Sequence, residues 1–316
     1  GERIYENYFG IENINTGKPI DAESIYRLFS MTKVIICTAA MKLFEEGKFL
    51  LNDPIYEYFP EWRNTQKVVY HPNGNYDIVP VEHPILVKHA FSMAMGIGYG
   101  GNDATHQKAA EVRRRLREAK GKYYTLREDI AAMSEVPVAF EPGTHFLYGF
   151  GHEMVAGLIE VCSGMTVGEY LKKHIFEPLG MEDTGFFVPE EKQRRLAVIH
   201  RILPDGTPVP YRGRHLAVWN ARRAPAFESG GAGLFSTVND YAAFQQMLLG
   251  EGTYRGRRIL HPATVRFLRT AQLTERQKKS FDWPVLRGYS YGNLMRVLES
   301  PALQCVTGPV GEFGWD

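Results

Sequence analysis

"RLFSMTKVIICTAAMKLFEEGKFLLNDPI", residues 27–55, opens like the end of a strand and continues like a buried helix. From residue 30 to about 46 the positions Val34, Ile35, Thr38, Met41 and Leu43 recur at helical spacing, and Gly47 stands where a helix C-terminus takes a left-handed residue. Ser30 and Lys33 lie at the head of this run, three residues apart and therefore on one helix face. The pair has two readings: a helix-start serine followed by a surface lysine, or a nucleophile served by an amine. The second has physical content. A serine at a helix start has its backbone N–H available to face an oxyanion. The apolar neighbours Met31, Val34 and Ile35 would strip water from Lys33. Desolvation lowers an amine's pKa and makes it a usable base. Ser-x-x-Lys alone is weak, because about one chance occurrence is expected in a chain of this length. The rest of the chain must decide.

Bulk properties bound what such a site can serve. The chain has 316 residues, 44% of them hydrophobic and 23% charged, enough for one large domain or two intertwined ones. Lys+Arg total 37 and Asp+Glu 36, a formal net charge of +1, which gives no electrostatic case for nucleic acid or an anionic membrane. No apolar run approaches the roughly 18–20 residues of a membrane span. The opening GERIYENYFG is not a signal peptide, and the expected compartment is the cytoplasm. Cys37, Cys162 and Cys305 are far apart and make no metal spacing; with two of them in apolar helical runs, they read as buried thiols. The 10 histidines show no ligand spacing, so neither a metal nor a cofactor is expected.

The pattern changes type along the chain. Residues 2–29 read as strand and turn, with NTGKPID (15–21) as the loop before Ser30. Pro54 and Pro60 break LNDPIYEYFPEW (51–62), and residues 63–88 read as irregular around the turn cluster HPNGNYD (71–77). Residues 105–120 predict an amphipathic basic helix with Arg113, Arg114 and Arg115 on a solvated face. In EPGTHFLYGFGHEMVAGLIEVCSGMTVGEYLKKHIFEPLGM (141–181), Pro142-Gly143 makes a turn and Met154, Val155, Leu158, Ile159 and Cys162 give a helix its apolar stripe. Gly164 stops that helix, and Thr166 with Glu169 forms a capping box for the next. SGGAGLFSTVNDYAAFQQMLLGEG (229–252) reads as a Gly-rich turn or strand, then a helix from Thr237–Asp240. GYSYGNLMRVLE (288–299) reads as strand. Strands at both ends and helices between predict an α/β (α+β) chain: a sheet domain from residues 1–29 and 226–316, and a mostly helical domain from 30–225.

Rival sites fail on context. Gly288-Tyr289-Ser290-Tyr291-Gly292 matches the Gly-x-Ser-x-Gly elbow of α/β-hydrolases, but that elbow needs a helix after the serine and a histidine downstream. Residues 293–299 are strand-like instead, and no histidine occurs between Ser290 and Asp316. His152-Glu153 would need a histidine at Ala156 to make a zinc helix. His89 reads as a hydrogen-bonded core histidine rather than a catalytic one.

Ordered motifs through the whole chain give it a resemblance to the serine β-lactamase and penicillin-binding protein superfamily. It is most similar to the branch of class C enzymes, D-Ala-D-Ala carboxypeptidases and family VIII carboxylesterases. FSMTK (29–33) resembles the nucleophile motif and LNDPIYEYFPEW the segment after it. VKHAFSMAMGIGYG (87–100), PGTHFLYGFGHEMVAGLIE (142–160), FEPLGMEDTGF (176–186) and GGAGLFSTVNDYAAFQQMLLGEG (230–252) come in the family's order. The resemblance implies a β-lactamase/transpeptidase-like fold, with an antiparallel sheet flanked by helices plus a mostly helical domain. It also implies an acyl-enzyme at Ser30, assisted by Lys33 and Tyr148, with the acylation base left open between those two. A phenol and an amine so placed would titrate as a coupled pair.

Three departures shape the expected substrate. The family's Tyr-x-Asn is here Tyr148-Gly149-Phe150; the literal strings at Tyr5–Asn7 and Tyr291–Asn293 lie in the wrong places and open no helix. The Lys-Thr-Gly or His-Thr-Gly triplet is absent. GEFGWD (311–316) resembles the Trp-x-Gly form of esterase-like members, with Trp315 at the lysine position and Val306-Thr307-Gly308 as a weaker rival. The resemblance also implies further residues before Gly1 and after Asp316, a second oxyanion donor among the latter. Phe150 cannot hydrogen-bond a substrate amide, and Trp315 offers one N–H and no charge. Losing a charge-assisted hydrogen bond to a substrate carboxylate costs about 1.5–3 kcal/mol, whereas two aromatic rings suit an acyl or alkoxy group. The expected substrate is therefore a small uncharged ester. The alternatives are a β-lactam-like substrate for a β-lactamase or D-Ala-D-Ala peptidase that recruits Arg222 or Arg223, and a silent ligand-binding scaffold.

Overall fold

Helix α1 (Thr32–Glu45) is buried without a break from Thr32 to Met41 and again at Leu43. A helix enclosed on every side must be surrounded by other elements, and the fold is arranged about it. The computed structural model describes residues 3–121, 123–211 and 222–315. Before α1 come a hairpin of β1 (Ile11–Asn13) and β2 (Lys18–Pro19), then β3 (Tyr26–Arg27). A single 3-10 turn, Phe29–Met31, joins β3 to α1. Ser30 thus stands just ahead of the α-helix rather than as its first residue, and Lys33 lies in the first turn. Gly47, at φ +68°, comes just after the helix end.

Residues 63–88 hold more order than their sequence suggests. Strands β4 (Gln66–Tyr70) and β5 (Tyr76–Pro80) pair antiparallel across the HPNGNYD turn. Val68 is the only fully buried residue of the two strands, so the alternation that marks a half-buried strand is missing.

The helical stretch continues as α2 (Val87–Phe91), α3 (Ala104–Lys120), α4 (Leu126–Met133), α5 (Gly151–Ser163), α6 (Val167–Leu171) and α7 (Glu177–Leu179). Helix α5 packs on α1, α2, α4 and α6. Gly164, at φ +71°, ends α5, and Thr166 with Glu169 closes the capping box that opens α6. One arginine departs from the solvated-face reading. Arg113 makes a two-pronged ion pair with Asp129 of α4, which is 1% exposed, and covers the Phe150 ring. Arg114 and Arg115 stay exposed. The turn of helix that carries Arg113 faces α4, and a buried carboxylate there requires a cation. The thiols differ from expectation too: Cys37 is buried, Cys162 half-buried and Cys305 exposed, all three free.

The chain returns to its beginning through β8. A hairpin of β6 (His200–Ile202) and β7 (Pro208–Pro210) precedes it; β8 (Phe235–Ser236) then pairs antiparallel with β3. Helix α8 (Val238–Leu249) starts at Thr237, whose side chain accepts from the Asp240 N–H. The hairpin β9 (Thr253–Tyr254) and β10 (Arg257–Arg258) and helix α9 (Pro262–Leu268) lead to a three-stranded antiparallel sheet in the order β11 (Tyr289–Gly292), β12 (Met295–Leu298), β13 (Phe313–Gly314). One hydrophobic core extends from Leu28 to Trp315. Among the described residues no single helix is long and apolar enough to cross a membrane.

Candidate active site

The chain reaches Ser30 through a strained step. Phe29 has φ +46°, a left-handed conformation that costs a bulky residue about 1–3 kcal/mol. The turn it opens leaves Ser30 half-buried while Lys33, one turn on, is wholly buried. Lys33 Nζ donates to Ser30 Oγ at 3.0 Å and to the Gly231 carbonyl oxygen at 2.7 Å. Ser30 Oγ and Tyr148 Oη are 3.2 Å apart. Trp315 Nε1 donates to Tyr148 Oη at 2.7 Å. The result is one continuous line of contacts: Gly231, Lys33, Ser30, Tyr148, Trp315.

Tyr148 is set by close backbone packing. Gly149 bridges Gly98, and a Cβ there would stand 2.2 Å from the Ile97 carbonyl oxygen. The residue after Tyr148 therefore lies flat against that segment, which aims the phenol at Ser30. Its ring is walled by Tyr99, Trp283 and Trp315 at centroid distances of 5.2, 5.5 and 5.1 Å. Lys33 Nζ sits over the faces of Tyr148 and Tyr99, at 5.0 and 5.7 Å from the ring centres. Burial pushes the Lys33 amine down to about 7, against an opposing pull from the Glu153 carboxylate. A substantial share of Lys33 is thus a neutral amine near neutral pH, able to accept a proton.

A second layer lies underneath. The Glu153 carboxylate accepts from Ser229 Oγ at 2.6 Å and from the Gly230 N–H at 2.8 Å. Burial works to raise its pKa, but hydrogen bonds from His152, Ser229 and Gly230 hold it below the ordinary carboxylate value. His152 is fully enclosed, its Nε2 2.5 Å from Tyr99 Oη, and is pushed down to about 4 by burial and by Lys33. Sequence reasoning weighs His152-Glu153 only as a metal pair and misses this layer. Spacing gives no signal for it, because Tyr148 and Gly149 precede α5 and no helix face links them to His152. Tyr99, Trp283 and the Gly231 carbonyl carry no signal of their own. Among the described residues, no group of three or more His, Cys, Asp or Glu is placed to hold a metal ion.

The family model described as Beta-lactamase matches residues 1–311. The chain belongs to the Beta-lactamase family. Protein Rv1367c of Mycobacterium tuberculosis is 31% identical over 316 residues, spanning 98% of this chain and 76% of that one. Esterase EstB of Burkholderia gladioli is 27% identical over 256 residues, spanning 76% and 61%. Among solved structures, EstCE1, a hydrolase with promiscuous acyltransferase activity, superposes with a TM-score of 0.75 at 23% identity, covering 98% of this chain and 78% of that one. The fold is the β-lactamase/transpeptidase fold, mixed helix and sheet.

Within this Beta-lactamase family chain, the structure brings Ser30, Lys33, Tyr148 and Trp315 together and leaves Phe150 out. Phe150 is 2% exposed and stacks on Trp62 at 6.1 Å. Its backbone already has the helical φ −67°, ψ −12° of the start of α5, which turns the ring into the core. Its assignment to the substrate surface is therefore corrected. The rings gathered at the site are those packed about Tyr148, from Tyr99, Trp283 and Trp315. Ser290 is wholly buried on β11 with no helix after it, so the Gly-x-Ser-x-Gly string is a strand. His89 is a core residue whose Nδ1 accepts from the Leu86 N–H. The position after Trp315 lies outside the described residues.

Proposed function

We propose that the protein is a serine hydrolase working through an acyl-enzyme at Ser30, and specifically a carboxylesterase for small uncharged esters. The observation that carries the reading is the line of contacts from Lys33 through Ser30 and Tyr148 to Trp315, walled by rings. In acylation, Ser30 Oγ bonds to the ester carbonyl carbon as its proton passes to the Lys33 amine 3.0 Å away. The backbone N–H of Ser30 is the donor this reading assigns to the oxyanion. Tyr148, 3.2 Å from the same oxygen, hands a proton to the departing alkoxide as the ester C–O bond breaks, and recovers it from Lys33. Water then attacks the acyl-enzyme along the reverse proton path, releasing the acid and restoring Ser30. Trp315 fixes the phenol oxygen and presents no charge, which favours an alkoxy or acyl group over a carboxylate. The name of the EstB relative, an esterase, supports the same class.

Two experiments test the reading. A fluorophosphonate should label the protein at Ser30 as mapped by mass spectrometry; an unlabelled Ser30 would leave only a ligand-binding scaffold. A comparison of kcat/KM for p-nitrophenyl butyrate and nitrocefin should favour the ester. A preference for nitrocefin would replace the substrate with a β-lactam, direct attention to Arg222 and Arg223 as carboxylate partners, and leave Ser30 in place.

A further inference from the structure

One buried carboxylate takes no part in the proton path of Ser30, Lys33 and Tyr148, yet it bonds the backbone that holds the lysine, and its charge acts on the lysine itself. Glu153 lies in the first turn of α5 beneath the site. An unpaired carboxylate there would be strongly disfavoured, and this one binds a strap. Its two oxygens accept from Ser229 Oγ and the Gly230 N–H, and the next residue, Gly231, turns its carbonyl onto Lys33 Nζ. The strap is pressed against α5. A Cβ on Gly230 would stand 2.5 Å from the His152 carbonyl oxygen, and one on Gly231 2.1 Å from His152 Nε2.

We propose that Glu153 is the positioning residue of Lys33: it pins the Ser229–Gly231 strap so that the Gly231 carbonyl holds the lysine head against Ser30, and its buried negative charge acts on that lysine. This rests on the reading of Ser30 as nucleophile and Lys33 as its base. The charge opposes the desolvation that drives Lys33 down to about 7. The other groups that sense Glu153 are His152 on its own helix, Arg113 of α3, Asp129 of α4, and Tyr99 and Tyr124. His152 is neutral, Arg113 and Asp129 are paired with each other, and both tyrosines are raised by burial. Lys33 is the member of this group poised near neutrality.

The test is the pH dependence of the rate at which a fluorophosphonate modifies Ser30 in the full chain. Glu153→Gln keeps the size and removes the charge. Its ascending limb should move to lower pH by about one unit, because losing an adjacent opposite charge favours the free amine. Its plateau rate should fall about tenfold as the strap loosens. Ser229→Ala should lower the plateau severalfold and leave the limb where it is. A wild-type limb in a folded Glu153→Gln variant overturns the charge role, and a wild-type plateau in Ser229→Ala overturns the positioning role. If Glu153→Gln does not fold, Glu153→Asp takes its place: charge kept and reach shortened, it should lower the plateau without moving the limb, and a wild-type plateau overturns the proposal. Failure of the wild-type protein to react at Ser30 would instead overturn the parent reading, so the two failures are told apart.

Discussion

Lys33 has no exposure to water, and its amine is drawn down to about 7 chiefly by that burial. This has two consequences at the scale of the residue. The first is kinetic. If the free amine is the base, kcat/KM for p-nitrophenyl butyrate should rise about tenfold per pH unit below 7 and level off above it. Ser30→Ala should abolish turnover and Lys33→Ala should cost about two orders of magnitude or more; wild-type-like rates in either variant would remove that residue from the mechanism. The second is thermodynamic. The folded amine titrates near 7 and the unfolded one near the ordinary lysine value of 10.5. Between those values the unfolded chain binds a proton that the folded chain does not, so stability rises with pH across that window. Below about pH 7 the full cost of burying the ammonium is present. Lys33→Met should therefore destroy activity yet stabilise the fold at pH 7 by about 1–3 kcal/mol, even after the Gly231 carbonyl loses its donor. Urea denaturation measures this, and an unchanged or lowered midpoint would contradict it.

At the scale of elements, the site depends on how closely α5 meets the strap at residues 229–231 and on how α3 meets α4. Gly231→Ala places a methyl 2.1 Å from His152 Nε2 and 2.8 Å from Tyr99 Oη, two groups already bonded to each other. Neither can move without breaking that bond, so the strap must shift. We expect a stability loss of about 1–3 kcal/mol, and an activity loss larger than unfolding explains, read by assaying the folded fraction. A fully active variant would mean the strap is free to move. The α3–α4 contact gives a cleaner contrast. Arg113→Ala strands the Asp129 carboxylate in the core and should cost about 3–5 kcal/mol. Arg114→Ala, removing an exposed pair with Glu118, should change stability by no more than about 0.5 kcal/mol. Equal effects in thermal melts would restore the solvated-face reading for both.

For the whole molecule, we retain as a proposal the division into a sheet domain of residues 1–29 and 226–316 and a helical domain of 30–225. Strand β3 pairs with β8 across more than 200 residues of chain and so joins the two segments of the sheet domain. What binds the two domains is the core that runs from Leu28 to Trp315 and takes in residues of both. Apolar contacts shared this way couple the parts energetically. Unfolding monitored by tryptophan fluorescence and by far-UV circular dichroism should therefore give one coincident transition. The four tryptophans lie in both parts, so two separated transitions would reveal parts that fold alone.

Local chemistry made much of this legible in the amino-acid sequence. Helix α1, its glycine stop, the capping box at Thr166 and the start of α8 at Thr237 are each set by residues within one or two helical turns. So is the pairing of Ser30 with Lys33, since three residues along a helical path cover one turn. The ordered motifs carried the family, and with it Tyr148 and Trp315. Contacts between distant segments were not legible. No pattern in the chain says that the Gly231 carbonyl meets Lys33, that Glu153 holds the strap, that Arg113 finds Asp129, or that Tyr99 and Trp283 wall the site. Phe150 shows the limit most directly. An aromatic ring two residues past Tyr148 suits a substrate wall or a core equally well by composition. The backbone turn at the start of α5 and the space beside Trp62 decided for the core. Side-chain type and spacing determine what a segment can do on its own. Which groups share a buried volume, and so desolvate and charge one another, is decided only when segments far apart in the chain are packed together.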